Sequence, residues 1–463
     1  MSTTEKLDTH QKALTLNLDP SIFGSFAEIG AGQEVARWFL VVGAASGTVA
    51  KAISAYDKEV SDDLYGSGSR YVSRQRLDAM LDHEWTQLLN QLTKARGSQT
   101  RFFCLVDTVS ARNYAGTNEA HGWIGVRFQR EPQGQPNDIL LHINLLDPTN
   151  LLQQEAIGIL GVNLIYAAFY QSQTKEYLLE GVAKDVENRV EIDYVDLRGP
   201  AFESWDLRAL QAHLVRADFA KAVCFPSSSS PVPPTEVLHK KALVLAPGYF
   251  AHTDPAHAET HTRMLASAMQ QLQGELGETK LAPAGFFCLT LAPLNSKDAF
   301  PEIPDVLRRI DALCAHGGDV LLVRERELYT MTDFMNRYTK EPVRFVVGLS
   351  LLIRALEDQY SKLDGSFLSA LSRLFAQNVR IYAYPMTVVN LRESIQGFST
   401  LDWGLSETNG WVSAHQLHPA APLGYLYAYL LSSNFLVPIA EGEKVPAFAG
   451  TSPLHGGTSA ENQ

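Results

Sequence analysis

Cysteine is scarce: Cys104, Cys224, Cys288 and Cys314 are all that 463 residues carry. They lie far apart, mostly inside apolar runs, and none forms a C-x-x-C pair, which argues against a disulfide framework and a thiolate zinc site. Four reduced, mostly buried thiols fit a cytoplasmic protein. Basic charge is also in short supply, with 39 Lys and Arg against 51 Asp and Glu and a net charge of -12. Neither nucleic acid nor an anionic membrane is therefore expected as the main partner, because such binders carry a basic face. Long apolar runs are missing too: the most apolar window, residues 156–169, is too short to span a bilayer and reads as a core helix. The opening MSTTEKLDTHQKALTLNLDP has neither a basic n-region nor an apolar h-region, so no secretory signal is expected.

What is present is an ordinary globular composition, 45% hydrophobic and 19% charged, in a chain longer than one core usually grows. Two domains follow as the expectation. SSSSPVPP, residues 227–234, cannot build a core and reads as the linker. It separates an N-terminal α/β domain, residues 18–226, from a second α/β domain, residues 235–440. Residues 1–17 read as a polar tail, and residues 441–463, rich in Gly, Ser and Thr, as disordered.

In the first half, TLNLDPSIFGSFAE supplies only a poor strand before Gly30, Gly32 and Ala36. That glycine spacing suits either a pyrophosphate loop or close helix packing through small residues, with packing favoured. Residues 71–96 form an amphipathic helix with Leu77, Met80, Leu81, Trp85 and Leu88 near one side. The apolar strand 101–107 ends in Asp107, a position where α/β proteins place site residues. Asn118, Glu119 and His121 then bring donors, acceptors and an imidazole to one loop, which either lines a site or is a hydrogen-bonded surface loop.

The second half alternates strand and helix in the manner of an open parallel Rossmann-like sheet with helices on both faces, with five strands at 242–246, 285–291, 319–323, 343–348 and 379–384. Its first turn is KALVLAPGYFAHTDPAHAETHTRML, residues 241–265. Pro247 and Gly248 stop a buried strand, and Asp254 with Pro255 reads as the N-cap and first residue of a helix. His257 and His261 share a face of its first turns, where free backbone N–H groups and the dipole favour an anion. His252, Asp254, His257 and His261 together also suit zinc, but exposed histidines at a helix start are the commoner reading and no metal site is expected.

This stretch resembles the nucleotidylyltransferase superfamily pattern G-x-F-x-P-x-[HT]-x-G-H. Gly248 and Phe250 match, Asp254 takes the place of the first His or Thr, Ala256 that of the second glycine, and His257 that of the final histidine. RFVVGLS, residues 344–350, resembles the F-[IV]-[IV]-G-x-D strand of nicotinate-nucleotide adenylyltransferases, with Gly348 kept and Ser350 for the aspartate. The late S-[ST]-T-x-[IV]-R signature has no counterpart closer than residues 389–394. Over residues 20–440, segments such as EIGAGQEVAR, GTNEAHGWIGVRFQ and FAQNVRIYAYP are also similar to a set of long bacterial proteins often labelled nicotinate-nucleotide adenylyltransferase.

The resemblance implies an enzyme that binds ATP with magnesium and transfers a nucleotidyl group to a nicotinate-nucleotide-like phosphate acceptor. His257 would stabilise the charge developing in transfer, Gly248 would admit the phosphates, Phe250, Asp254, His261 and Gly348 would complete the nucleotide site, and Lys240 or Arg324 would neutralise charge. The departures imply the alternative, a catalytically silent nucleotide- or metabolite-binding protein, regulatory or assembly-forming as a homo-oligomer.

Overall fold

Strand β1 (Ile22–Ile29) is buried along nearly its whole length and organises the first half of the chain. The computed structural model describes residues 7–68, 70–116, 118–251, 255–279, 281–292, 299–357, 367–396, 399, 401–406 and 410–439. Two units emerge, Met1–Ala220 and Lys221–Gln463. The expected terminal segment 441–463 lies outside the described residues, whereas much of the expected N-terminal tail is helix α1 (Thr9–Leu18). Asp8 caps it through a reciprocal box with Gln11, and Ala13 and Leu16 are fully buried. The three-residue spacing from Ala13 to Leu16 is helical, but too short a signal to stand out among polar neighbours.

The first unit continues through α2 (Glu34–Val41), β2 (Val49–Ile53), α3 (Lys58–Tyr65), α4 (Arg74–Arg96), β3 (Arg101–Ser110), β4 (His121–Gln129), β5 (Pro136–Leu145), α5 (Asn150–Tyr170), α6 (Lys175–Ala183), β6 (Val190–Arg198) and α7 (Leu207–Arg216). Its sheet runs β2-β1-β3-β4-β5-β6, parallel among the first three and antiparallel beyond. The strand that looked poor in sequence is thus an interior strand, because its tertiary neighbours cover both faces. Side chains alternate between faces. Phe23, Ala27, Phe102, Cys104 and Val106 meet Leu77, Met80, Leu81, Trp85 and Leu88 of α4. On the opposite face, Phe169 of α5 packs edge-on against Phe103 and Phe128, with centroids 6.1 and 5.6 Å apart. Helix α5 is long and apolar enough to cross a membrane, yet most of it is buried in this unit.

The second unit begins earlier than expected. Strand β7 (Ala222–Phe225) pairs antiparallel with β10 (Asp319–Val323), so residues 227–234 are a loop inside this unit and not a linker between domains. The four consecutive buried residues Ala222 to Phe225 pair with that sheet edge, and Cys224 also exchanges backbone hydrogen bonds with Val232. Between these two strands lie α8 (Pro234–Leu238), β8 (Leu243–Gly248), α9 (Pro255–Leu276), β9 (Ala284–Thr290) and α10 (Ile303–Cys314). After β10 come α11 (Leu328–Met335), β11 (Val343–Gly348), α12 (Leu349–Glu357), α13 (Phe367–Leu374), β12 (Val379–Tyr384) and α14 (Val388–Ile395). Two small ribbons pair β13 (Met386–Thr387) with β15 (Trp411–Val412) and β14 (Trp403–Leu405) with β16 (Leu417–Pro419), and α15 (Leu423–Ser432) and β17 (Leu436–Pro438) close the unit.

The main sheet runs β17-β12-β11-β8-β9-β10-β7, all parallel except β7. Counted from β8, its parallel strands stand in the order 6-5-4-1-2-3, a doubly wound arrangement that reverses direction between β8 and β11. In such sheets ligands settle beyond the carboxyl ends of the strands at the reversal.

Candidate functional site

The reversal point of the second unit brings Gly248 and Gly348 to the ends of neighbouring strands. A side chain at Gly348 would meet nothing within 4 Å, so this corner is open. Gly248 differs. A β-carbon there would lie 3.0 Å from the ring of Phe250, which sits at φ 46° and is 8% exposed. That ring packs edge-on against His261 at 4.9 Å and Phe287 at 5.8 Å. Phe250 therefore covers the glycine expected to admit phosphates. Burial, with His257 adding to it, pushes the His261 imidazole down to about 4. A neutral imidazole supplies no cation to a phosphate at neutral pH, which corrects the expected role of His261.

His257 is exposed in the first turn of α9, while Asp254 and His252 lie outside the described residues. Lys240 precedes β8 at the amino edge, its backbone at φ 54° and its N–H donating to the Tyr338 carbonyl at 3.0 Å. With ~3.3 Å per strand residue it stands roughly 20 Å from the carboxyl edge, so it does not serve the Gly248 corner. Arg324 does follow the carboxyl end of β10, and its guanidinium lies 4.8 Å from the Phe300 ring.

A crevice of about 60 Å³ lies at this edge. Its walls include Gly248 and Tyr249, Thr290 at the end of β9, Arg326, and Arg354 of α12. Arg309 holds Tyr249 in place, donating to its carbonyl at 2.8 Å with the guanidinium 4.2 Å over its ring. A small-molecule site typically offers ~300–1,000 Å³, so the crevice as it stands is smaller than such a site. A larger cavity, about 430 Å³, is lined by Lys221, Glu325, Tyr329, Arg337 and Arg373. Among the described residues no group of three or more His, Cys, Asp or Glu is placed to hold a metal ion.

The first unit has a reversal of its own, since β2 and β3 flank β1 on opposite sides. Glu28 and Asp107 stand in register there. Glu28 accepts from the N–H groups of Val35 and Ala36 at 2.9 and 3.0 Å, so its carboxylate occupies the start of α2 where a pyrophosphate would otherwise bind. Gly30, at φ 102°, would place a β-carbon 1.8 Å from the Val109 carbonyl, and Gly32 turns at φ 91°. These glycines serve a turn and a close backbone approach rather than a phosphate. Burial, and then the Glu28 charge, push Asp107 well above the carboxylate range, and burial pushes Glu28 up to about 7.

Asn118 organises its loop, accepting from the Asn113 N–H at 2.7 Å and donating to the Ala111 carbonyl at 2.8 Å and to Ser110 Oγ at 3.1 Å. Glu119 is half-buried beside it. His121 opens β4, and its Nδ1 lies 3.2 Å from Nε2 of His142, whose Nδ1 is 2.5 Å from Asp193 Oδ1. Asn144 donates to the other Asp193 oxygen at 2.8 Å. A register shift between His142 and Ile143 puts Asp193 on this line. The chain Asp193–His142–His121 links a fully buried carboxylate to a half-buried imidazole through adjacent polar contacts.

No protein-family model matches the chain, and no curated protein matches it. Parts of it are similar to solved structures. The competence/damage-inducible protein CihA from Agrobacterium tumefaciens is 16% identical over 36% of this chain and 98% of its own, with a TM-score of 0.27. A competence-damaged protein (CinA) superfamily member from Enterobacter cloacae is 12% identical over 36% of this chain and 96% of its own, with a TM-score of 0.26.

Several of these residues escape a reading of the sequence alone. Glu28 had a signal, an acid two residues before Gly-x-Gly in an apolar strand. His142 had a weaker one, a lone imidazole within ILLHINL. Arg326 and Arg354 had none, because only the sheet order brings their segments together.

Proposed function

We propose that the second unit binds a phosphate-bearing small metabolite of the nucleotide class at the carboxyl edge of its sheet, as a binding protein without nucleotidyl transfer. One observation carries the reading. Strand order reverses between β8 and β11, and the crevice beside that reversal has Arg326 and Arg354 in its walls. Guanidinium groups suit phosphate oxygens because their planar forks donate two parallel hydrogen bonds.

Adenylyl transfer from magnesium-bound ATP to a nicotinate-nucleotide-like acceptor asks more of the site. The crevice is far smaller than a nucleoside triphosphate, His261 is neutral, and Phe250 lies over Gly248. The feature on its side is His257, exposed at the start of a 22-residue helix. Thermal shift with inorganic phosphate, nicotinate mononucleotide and ATP, with and without magnesium, paired with a pyrophosphate-release assay, separates the two. Stabilisation without pyrophosphate, unchanged in His257→Ala, is the expected result. Pyrophosphate release abolished by His257→Ala would replace binding with transfer, and no stabilisation by any ligand would remove both.

A further inference from the structure

Helix α1 turns Lys12 inward, leaving it 2% exposed. Its Nζ donates to Asn163 Oδ1 at 2.6 Å and approaches the Gly181 carbonyl at 3.5 Å. Asn163 is fixed in turn, donating to the carbonyls of Val182 and Lys184 at 3.1 and 2.6 Å. A neutral amine has two N–H groups and a lone pair. Both N–H groups have acceptors here, which leaves the lone pair free to act. Lys12 also forms part of the wall of a cavity of about 660 Å³, within the range of small-molecule sites.

We propose that this cavity is a carbonyl site in which the Lys12 amine forms an imine with a small aldehyde or ketone. The amine nitrogen attacks the carbonyl carbon, and a proton passes from nitrogen to oxygen to give a carbinolamine. The C–O bond then breaks as the hydroxyl takes the Tyr166 phenol proton and leaves as water, the nitrogen lone pair forms the C=N bond, and the remaining N–H proton returns to the Tyr166 oxygen. No oxidant or reductant is needed.

Burial of the amine favours its neutral form. Burial, and then the Lys184 ammonium, push Lys12 down to about 8, against the pull of Asp185 and Glu187. Tyr166, itself held protonated by burial and Tyr177, and the Glu180 carboxyl face the same space. A desolvated lysine beside a second cation is a known way to raise the neutral fraction.

The test treats the full chain with pyridoxal and sodium cyanoborohydride, whose hydride reduces the C=N bond to a stable amine, and maps modified peptides by mass. Lys12 is expected to be trapped at pH 7 about tenfold faster than the exposed Lys58 and Lys94, with a rate midpoint near pH 8. Lys184→Met is expected to move that midpoint upward and slow trapping at pH 7 by about threefold. Trapping of Lys58 and Lys94 with Lys12 unmodified, or Lys12 reacting with their rate and midpoint, would overturn the proposal. An unmoved midpoint in Lys184→Met would overturn the part assigned to Lys184.

Discussion

Replacing Asp107 with asparagine probes the buried carboxyl pair of the first unit. Asparagine keeps an acceptor for the Ile29 N–H, which Asp107 Oδ1 takes at 3.2 Å, and puts an amide near Asp107 Oδ2, buried without a hydrogen-bond partner. In the native chain Glu28 is pushed up to about 7 from an ordinary 4.5. Between those values the folded chain holds a proton that the unfolded chain has released, so stability falls as pH rises through the window and stays low above it. At ~1.4 kcal/mol per pH unit, Glu28 alone costs about 3 kcal/mol above pH 7. Asp107, also raised, loses stability in the same direction. Asp107→Asn removes one titrating group and the mutual repulsion while leaving the burial of Glu28. A gain on the order of 1–3 kcal/mol at pH 8 is expected, shrinking toward zero only near pH 4, the ordinary value of an aspartate. Hydrogen exchange of peptides covering β1 and β3, corrected for intrinsic exchange at each pH, reads this locally. If the variant loses as much stability at pH 8 as at pH 5, the carboxyls do not repel one another and the reasoning is wrong.

Three further outcomes follow from single contacts. Glu275→Ala removes the carboxylate on the Arg344 guanidinium, 2% exposed, which donates to Glu275 Oε2 from Nη2 at 2.8 Å and Nε at 3.1 Å and keeps hydrogen bonds to the Val343 and Asn378 carbonyls; a loss of about 1–3 kcal/mol at pH 7 is expected in urea unfolding of the second unit. Tyr382 and Arg344 hold the Glu275 carboxyl below its usual range, so the stability it contributes is present above the unfolded value and fades as pH falls through the folded one; a native chain equally stable at pH 3 and pH 7 would contradict this. Gly30→Ala forces a β-carbon against the Val109 carbonyl at a positive φ and should cost upwards of about 3 kcal/mol in the first unit, whereas a loss under about 1 kcal/mol would mean the turn is free to relax.

The parallel sheet of the second unit was legible because its strands are short apolar runs set between amphipathic helices. Val343–Gly348 and Val379–Tyr384 fall where the pattern puts them. Strand β7 was misplaced because a four-residue run carries no sign of which sheet takes it. Helix α1 was missed because its interior positions include Lys12 and Asn17, polar residues satisfied only by distant partners. The strand-then-glycine turn at Gly248 was readable, but not the left-handed backbone of Phe250 that folds its ring back over that glycine. Beside Glu28 the glycine spacing allows a pyrophosphate loop but favours close packing, and only the fold reveals that an internal carboxylate takes the helix start.

The most direct measurement is calorimetric titration of nicotinate mononucleotide into the native chain, Arg354→Ala and Arg337→Ala. Saturable binding to the native chain is expected, weakened about 10- to 100-fold by Arg354→Ala, the scale of one charge-assisted hydrogen bond, and unchanged by Arg337→Ala in the larger cavity. Equal affinity in the native chain and Arg354→Ala, or no heat from any of the three, would contradict a phosphate site at the strand-order reversal.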